Sequence, residues 1–212
     1  LLLPPPTWAD AASGTRLQVP LAYYHLANGL RVVLAPEHSA PTVTVGVFYR
    51  IGFRIEPKGR TGFAHLFEHM MFKGSKNVQP ESHTSIIAGI GGRSNAYTQE
   101  DATVFWETFP AHYLPLALWM EADRMATLRV DRNVFEREVE VVKEERRLRV
   151  DNQPYGTWWE RLPALCFPPD HPFHHSLIGS MEDLSAASLE DVAEFFRTYY
   201  TPDNAVLTIA GD

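Results

Sequence analysis

Three groups that water hydrates strongly, His65, Glu68 and His69, stand inside an otherwise apolar run, FAHLFEHMMF at residues 63–72. An unpaired carboxylate or imidazole is expensive to bury. A fold that takes this run into its core must therefore give all three a partner. On a helix each residue advances about 100°, which leaves His65 and His69 about 40° apart, one above the other. Two imidazoles stacked in this way can close on one metal ion. Glu68 lies about 60° to one side of His65, a near mirror image of the carboxylate in the commoner HExxH arrangement. In both arrangements the carboxylate stands beside the metal, where it can take a proton from bound water. Two ordinary histidines with a chance glutamate between them would give the same pattern. The apolar setting argues for the metal.

Two histidines do not complete a catalytic zinc site. Such sites take three protein ligands and a water, and His₂Glu is a standard set. The carboxylates of FEREVEVVKEERR (135–147) are the candidates. Glu138 and Glu145 are seven residues apart, two helical turns on one face. Phe135, Val139, Val142 and Leu148 flank that face, so both carboxylates should approach the core side of the helix. Glu144 is turned about 100° from Glu145, and Glu140 points elsewhere. Two buried carboxylates are costly unless each has a cation or a metal. Glu145 is accordingly assigned to the metal and Glu138 to orienting the groups around it. Zinc, one ion per chain, suits these ligand types, and cobalt or manganese could substitute in vitro.

The remaining pattern mixes strands and helices without regular βαβ alternation. Asn28-Gly29 marks a hairpin within residues 23–37, and TVTVGVFYRIG (42–52) alternates as a strand. The metal helix begins near Phe63 and is expected to end at Gly74. A short helix over 81–90 precedes a strand pair over 94–109, with Gln99-Glu100-Asp101 at its turn. Residues 112–128 carry helical spacing, and Asp131 can cap a long helix reaching roughly Asp151. Ser188 caps the last helix before a closing strand, NAVLTIAGD. The class this implies is α+β, with a mostly antiparallel sheet backed by helices.

The net charge of -7 argues against nucleic acid as a partner. No segment approaches the roughly 18 apolar residues of a membrane span. The single cysteine, Cys166, allows no internal disulfide. Residues 1–20 read as leader and linker. Their leucine run and the small-x-small pattern at Ala9-Asp10-Ala11 resemble the tail of a secretory signal peptide, implying export to the bacterial periplasm or secretion. Residues 21–212 form the domain.

Three segments, HLFEHMMFKGS (65–75), SNAYTQEDATVFWE (94–107) and FEREVEVVKEERR (135–147), resemble the pitrilysin and mitochondrial processing peptidase family, the inverted zincins. The 75 residues between His69 and Glu145 also match the family's range. The resemblance runs from about Tyr23 to the end of the chain. It implies zinc on His65, His69 and Glu145, Glu68 as general base, and Glu138 as a supporting acid. It also implies that Asn95, Ala96 and Tyr97 lie on an edge strand that takes an unfolded peptide substrate as an added strand. The implied fold is one half of a two-half peptidase clamshell, the N-terminal catalytic half. A second homologous half would follow in the same chain or come as a separate subunit or dimer. A non-catalytic structural subunit is the alternative, but such members typically lose the HxxEH set that this chain keeps. A small-molecule metal lyase with an HxxEH helix is a third reading, and the Glu138/Glu145 helix favours the peptidase.

Other conspicuous residues are read plainly. His171, His174 and His175 are surface or hydrogen-bonded loop histidines. Trp158 and Trp159 are core or interdomain packing, and Cys166 is a buried thiol. His83 and His112 carry no assignment.

Overall fold

The computed structural model describes residues 19–212. The expected leader, apart from Val19 and Pro20, lies outside the described residues. Six strands form one sheet: β1 (Ala22–His25), β2 (Arg31–Pro36), β3 (Thr42–Tyr49), β4 (Arg93–Thr98), β5 (Thr103–Pro110) and β6 (Ala205–Gly211). Their order is β1-β2-β6-β3-β5-β4. Every neighbouring pair is antiparallel except β2 with β6. That parallel pair needs a long crossover, and the helical body of the chain supplies it. The expected α+β class, with a mostly antiparallel sheet backed by helices, is what the chain adopts.

Alternation along the strands decides where the core lies. Val43, Val45, Val47 and Tyr49 of β3 are buried on one face, beside Phe105 and Phe109 of β5. The helices pack on that face: α1 (Phe63–Met70), α2 (Ser82–Gly89), α3 (Leu114–Thr127), α4 (Arg132–Arg146), α6 (Met181–Ala186) and α7 (Leu189–Tyr199). A further helix, α5 (Trp158–Cys166), buries none of its residues. The Asn28-Gly29 turn forms as read: the Asn28 side chain accepts from Leu30 N, and Gly29 takes a φ of 89°. Asp131 caps α4 by accepting from Val134 N at 2.9 Å.

Four expectations are corrected. First, α1 ends at Met70, not at Gly74. Phe72 N and Lys73 N bond three residues back, to His69 and Met70, and the tightened turn closes the helix early. Gly74, at a φ of 96°, turns the loop that follows, packed against Pro80. Second, Leu148 does not flank the buried face and is 56% exposed. After Arg146 the helix widens into one π turn (Arg147–Asp151), which breaks the phase of the pattern. Third, of the two placements read for Trp158 and Trp159, core or interdomain packing, the core one fails. The two side chains stack on each other with ring centroids 4.0 Å apart, on the exposed side of α5. Fourth, Cys166, at the end of that helix, is exposed.

The last helix shows how a local signal fixes an element. Ser188 accepts from Asp191 N, and the Asp191 side chain accepts from Ser188 N, a reciprocal cap. Ser188→Ala should lower the urea midpoint, with stability reduced by roughly 1 kcal/mol and an unchanged denaturant slope. Equilibrium unfolding followed by circular dichroism measures both.

Candidate metal centre

α1 and α4 face each other across the core, and their polar residues meet. His65 Nε2 lies 3.6 Å from Glu145 Oε2, and His69 Nε2 lies 3.3 Å from the same oxygen. One ligand atom from each of the three residues lies within 4.8 Å of the others. Ligands about 2.0–2.1 Å from a tetrahedral zinc stand roughly 3.3 Å apart, so both carboxylate–imidazole separations suit a shared ion. The two imidazoles are edge to face, with centroids 4.8 Å apart. Two neutral imidazoles and one carboxylate are a donor set that zinc accepts. The residues therefore fit the metal.

The residues around the three also match their sequence assignments in position. Glu138 Oε2 sits 3.8 Å from His69 Nδ1, the ring nitrogen turned away from Glu145. Its other oxygen meets Lys73 Nζ at 3.1 Å. Glu138 is 1% exposed, so Lys73 and His69 supply the cationic company that a buried carboxylate needs. Glu144 and Glu140 face solvent, with Arg147 and Lys143 as partners. The one-residue difference between Glu144 and Glu145 thus resolves as the spacing implied.

Electrostatics at the centre follow from burial and these contacts. Burial, helped by neighbouring His69, pulls the His65 imidazole down to about 4. Burial also opposes charge on His69, but the nearby Glu138 and Glu145 carboxylates outweigh it and raise it to about 9. Glu145 is held below the usual carboxylate range by its bond to His69, against burial. In this arrangement His69 lies between the two carboxylates, with Lys73 on Glu138 and Arg149 on Glu145.

Glu68 stands beside the trio, not in it. Thr98 Oγ1 donates to Glu68 Oε2 at 2.6 Å. Burial raises the Glu68 carboxyl, and the Thr98 bond pulls it back only in part. Thr98 escaped the sequence reading, although its register held the clue. It is two residues beyond Ala96 on β4, hence on the same buried face. Lys73 and Arg149 were missed as well. Arg149 Nη1 reaches Glu145 Oε1 at 2.8 Å, one turn along the helix.

Asn95, Ala96 and Tyr97 lie on β4 at the edge of the sheet. Asn95 and Tyr97 expose their side chains, and Ala96 is buried. Gln99 N donates to Ala102 O, which fixes the phase of the β4–β5 ladder. In that phase Asn95 and Tyr97 direct their backbone groups at Trp106 and Val104, and Ser94 and Ala96 turn theirs to the free edge. A cavity of about 720 Å³ opens beside His65, Thr98 and Glu145, with Phe53, Trp159 and Phe173 among its walls.

The loop histidines join no metal cluster among the described residues. His171 Nδ1 accepts from Phe173 N, and His174 Nδ1 meets Phe167 O. A second buried group does exist, at His83, Glu107 and Glu121. Glu121 is bound by Arg124 through both carboxylate oxygens, and His83 Nε2 lies 3.2 Å from Glu107 Oε2. Arg124 balances one carboxylate, and one proton shared by His83 and Glu107 balances the other. The cluster is neutral without an ion. Its signal lay in the sequence: Glu121 and Arg124 are one turn apart in an apolar helix, and Glu107 falls on the buried phase of β5.

The sequence model of the insulinase family, peptidase family M16, matches residues 31–164. The chain belongs to this family. It is 37% identical over 188 residues to the zinc protease PqqE of Helicobacter pylori, covering 88% of this chain and 42% of that protein. It is 30% identical over 186 residues to the mitochondrial-processing peptidase subunit beta of Lentinula edodes, covering 88% of this chain and 40% of the relative. Among solved structures it is similar to a protease from Helicobacter pylori, with a TM-score of 0.88 and 35% identity, covering 92% of this chain and 47% of that one. The chain thus spans less than half the length of each of these relatives, and its fold is that of a peptidase half.

The His83–Glu107 pair makes a pH prediction. Burial raises Glu107 to about 7, against the pull of Arg124, and lowers His83 to about 4. Between about 4.5 and 6.5 the folded chain holds the Glu107 proton that the unfolded chain has released, so this group makes stability fall as pH rises. Over the same window the unfolded chain holds a His83 proton that the folded chain lacks, so His83 makes stability rise. The two oppose each other in the native chain. Glu107→Gln removes the first contribution, and its stability should climb more steeply from pH 4.5 to 6.5. Urea titrations of both chains across that window read the slopes directly, and parallel slopes would refute the coupling.

Proposed function

We propose that this chain is the zinc-binding catalytic half of an endopeptidase that hydrolyses peptide bonds in unfolded polypeptides. The observation that carries the reading is the meeting of His65, His69 and Glu145 from two helices, with Glu68 beside them and not among them. Zinc bound by these three would supply a Lewis acid that acidifies water and polarises the scissile carbonyl. Glu68 is the general base in this reading. It takes the proton of the attacking water and returns it to the leaving amine. Burial makes Glu68 the more basic of the carboxylates here, and the Thr98 hydroxyl keeps its side chain turned toward the site. Glu138 orients His69 through Nδ1, and Lys73 holds Glu138.

The substrate peptide adds as a strand along β4, with the outward backbone groups of Ala96 as its pairing partners and Asn95 and Tyr97 flanking. The cavity beside His65 receives a side chain of that peptide. A second homologous half, in the same chain or as a separate subunit, closes over the bound strand. The greater length of the relatives supports this. The leader-like composition of residues 1–20 supports export, to the periplasm or beyond. A non-catalytic subunit is the weaker reading, because the chain keeps His65, Glu68, His69, Glu138 and Glu145 together.

Three substitutions test the assignment. Glu145→Gln should lose zinc and Glu144→Gln should keep it, read by metal analysis of the purified chains. Glu68→Gln should retain zinc while kcat on an unfolded peptide, in the complete enzyme, falls by roughly a hundredfold or more. Zinc lost from Glu144→Gln and kept by Glu145→Gln would overturn the ligand set. Full turnover by Glu68→Gln would overturn the mechanism.

A further inference from the structure

The helix that carries His65, Glu68 and His69 has no cap of its own. Its N-cap position is Gly62, at a φ of 88°, which has no side chain to offer the first helical N–H groups. A helix start buried without partners is costly. The donors are met from outside the helix. Glu56 Oε2 accepts from Gly62 N at 3.0 Å, and Glu56 Oε1 accepts from Ala64 N at 2.7 Å. The Glu56 side chain is fully buried, with His175 Nδ1 3.8 Å away. Burial pushes the carboxyl up to about 8, opposed by the two N–H donors. The side chain is held at both oxygens by backbone N–H groups.

What it fixes is the position of His65, the residue next to Ala64. The rest of the helix start is locked to the chain beyond α4. Thr61 donates through N and Oγ1 to Asp183, and Ser180 N donates to Thr61 Oγ1. Gly62 and Gly179 meet backbone to backbone, so close that a Cβ on Gly179 would lie 2.3 Å from Thr61 O. Arg146, beside Glu145, donates to Gly179 O at 2.8 Å. The two ligand-bearing helices are thus referenced to one stretch of backbone, and Glu56 is the only carboxylate among the described residues that accepts from the first turn of α1.

We infer that Glu56 is a positioning residue for the metal centre: its carboxylate replaces the missing cap of α1 and sets where His65 stands relative to Glu145. The inference rests on the zinc reading above and concerns a residue that touches neither metal nor substrate. Glu56→Gln keeps the size and leaves one acceptor oxygen for two donors. Glu56→Asp keeps the charge but is one methylene short of bridging them.

The experiment measures zinc affinity by chelator competition, and the visible spectrum of the cobalt-loaded protein, in the full chain. Both variants should bind zinc more weakly on the order of tenfold, with shifted cobalt bands. Ser188→Ala, which weakens a helix cap away from the site, should lower stability yet leave affinity and spectrum unchanged. A purely structural role for Glu56 would make its variants behave like Ser188→Ala. Wild-type affinity and spectrum in folded Glu56→Gln or Glu56→Asp would overturn the inference. Failure of the unaltered chain to take zinc would overturn the metal reading, and this inference with it.

Discussion

Everything at the site depends on one costly apposition, the burial of two imidazoles from α1 against two carboxylates from α4. Either helix alone would carry uncompensated charge into the core, at a cost of several kcal/mol per ion. Together they balance. Glu145 faces both rings, Glu138 faces His69 from behind, and Lys73 takes the remaining oxygen of Glu138. The apolar contacts of Phe67, Phe135, Val139 and Val142 surround this polar seam and hold the helices at that spacing. The seam is therefore both a liability to the fold and the reason the two helices have a single register.

Because the seam lies at the end of the helical layer next to β4, it shares an edge with the sheet. Thr98 links the two: its backbone belongs to the edge strand, and its hydroxyl binds Glu68. A change in the placement of β4 would be felt at the Glu68 carboxylate through one short hydrogen bond. The turn after Thr98 is itself tied down, with Phe53 N bonded to Gln99 O and Arg54 N to Glu100 O. Gly52 allows that approach, since a Cβ there would lie 2.2 Å from Gln99 O. The edge strand, the proposed base and the proposed metal ligands thus form one mechanical unit, although they are spread over three separate stretches of sequence.

Much of this was legible because it depends on short-range periodicity. Helical phase alone distinguished Glu145 from Glu144 and brought Glu138 to the buried side. Strand alternation and the Asn28-Gly29 and Ser188 signals located β1, β2 and α7. Periodicity misled where the backbone changed its own period. The π turn at Arg147–Asp151 rotated Leu148 into solvent, and the tightened turn after Met70 ended α1 ahead of Gly74. The core placement of Trp158 and Trp159 failed for a different reason. Their apolarity was taken as evidence of burial, but large apolar side chains often remain at the surface, here stacked on one another.

The residues that no local pattern could reveal are those whose partners lie far along the chain. Thr61 finds Asp183 across 122 positions. Arg146 stands in a run of charged residues, KEERRLR (143–149), that marks no single partner for it. Its guanidinium binds Glu160 through both oxygens and reaches the Gly179 carbonyl. Each of these contacts is polar, buried at least in part and directed at backbone or at a single carboxylate, so each fixes an orientation as well as a distance. Periodicity brings the proposed metal ligands to one face of each helix. Long-range polar contacts to backbone then determine how those faces are aligned, to within the few tenths of an ångström on which coordination depends.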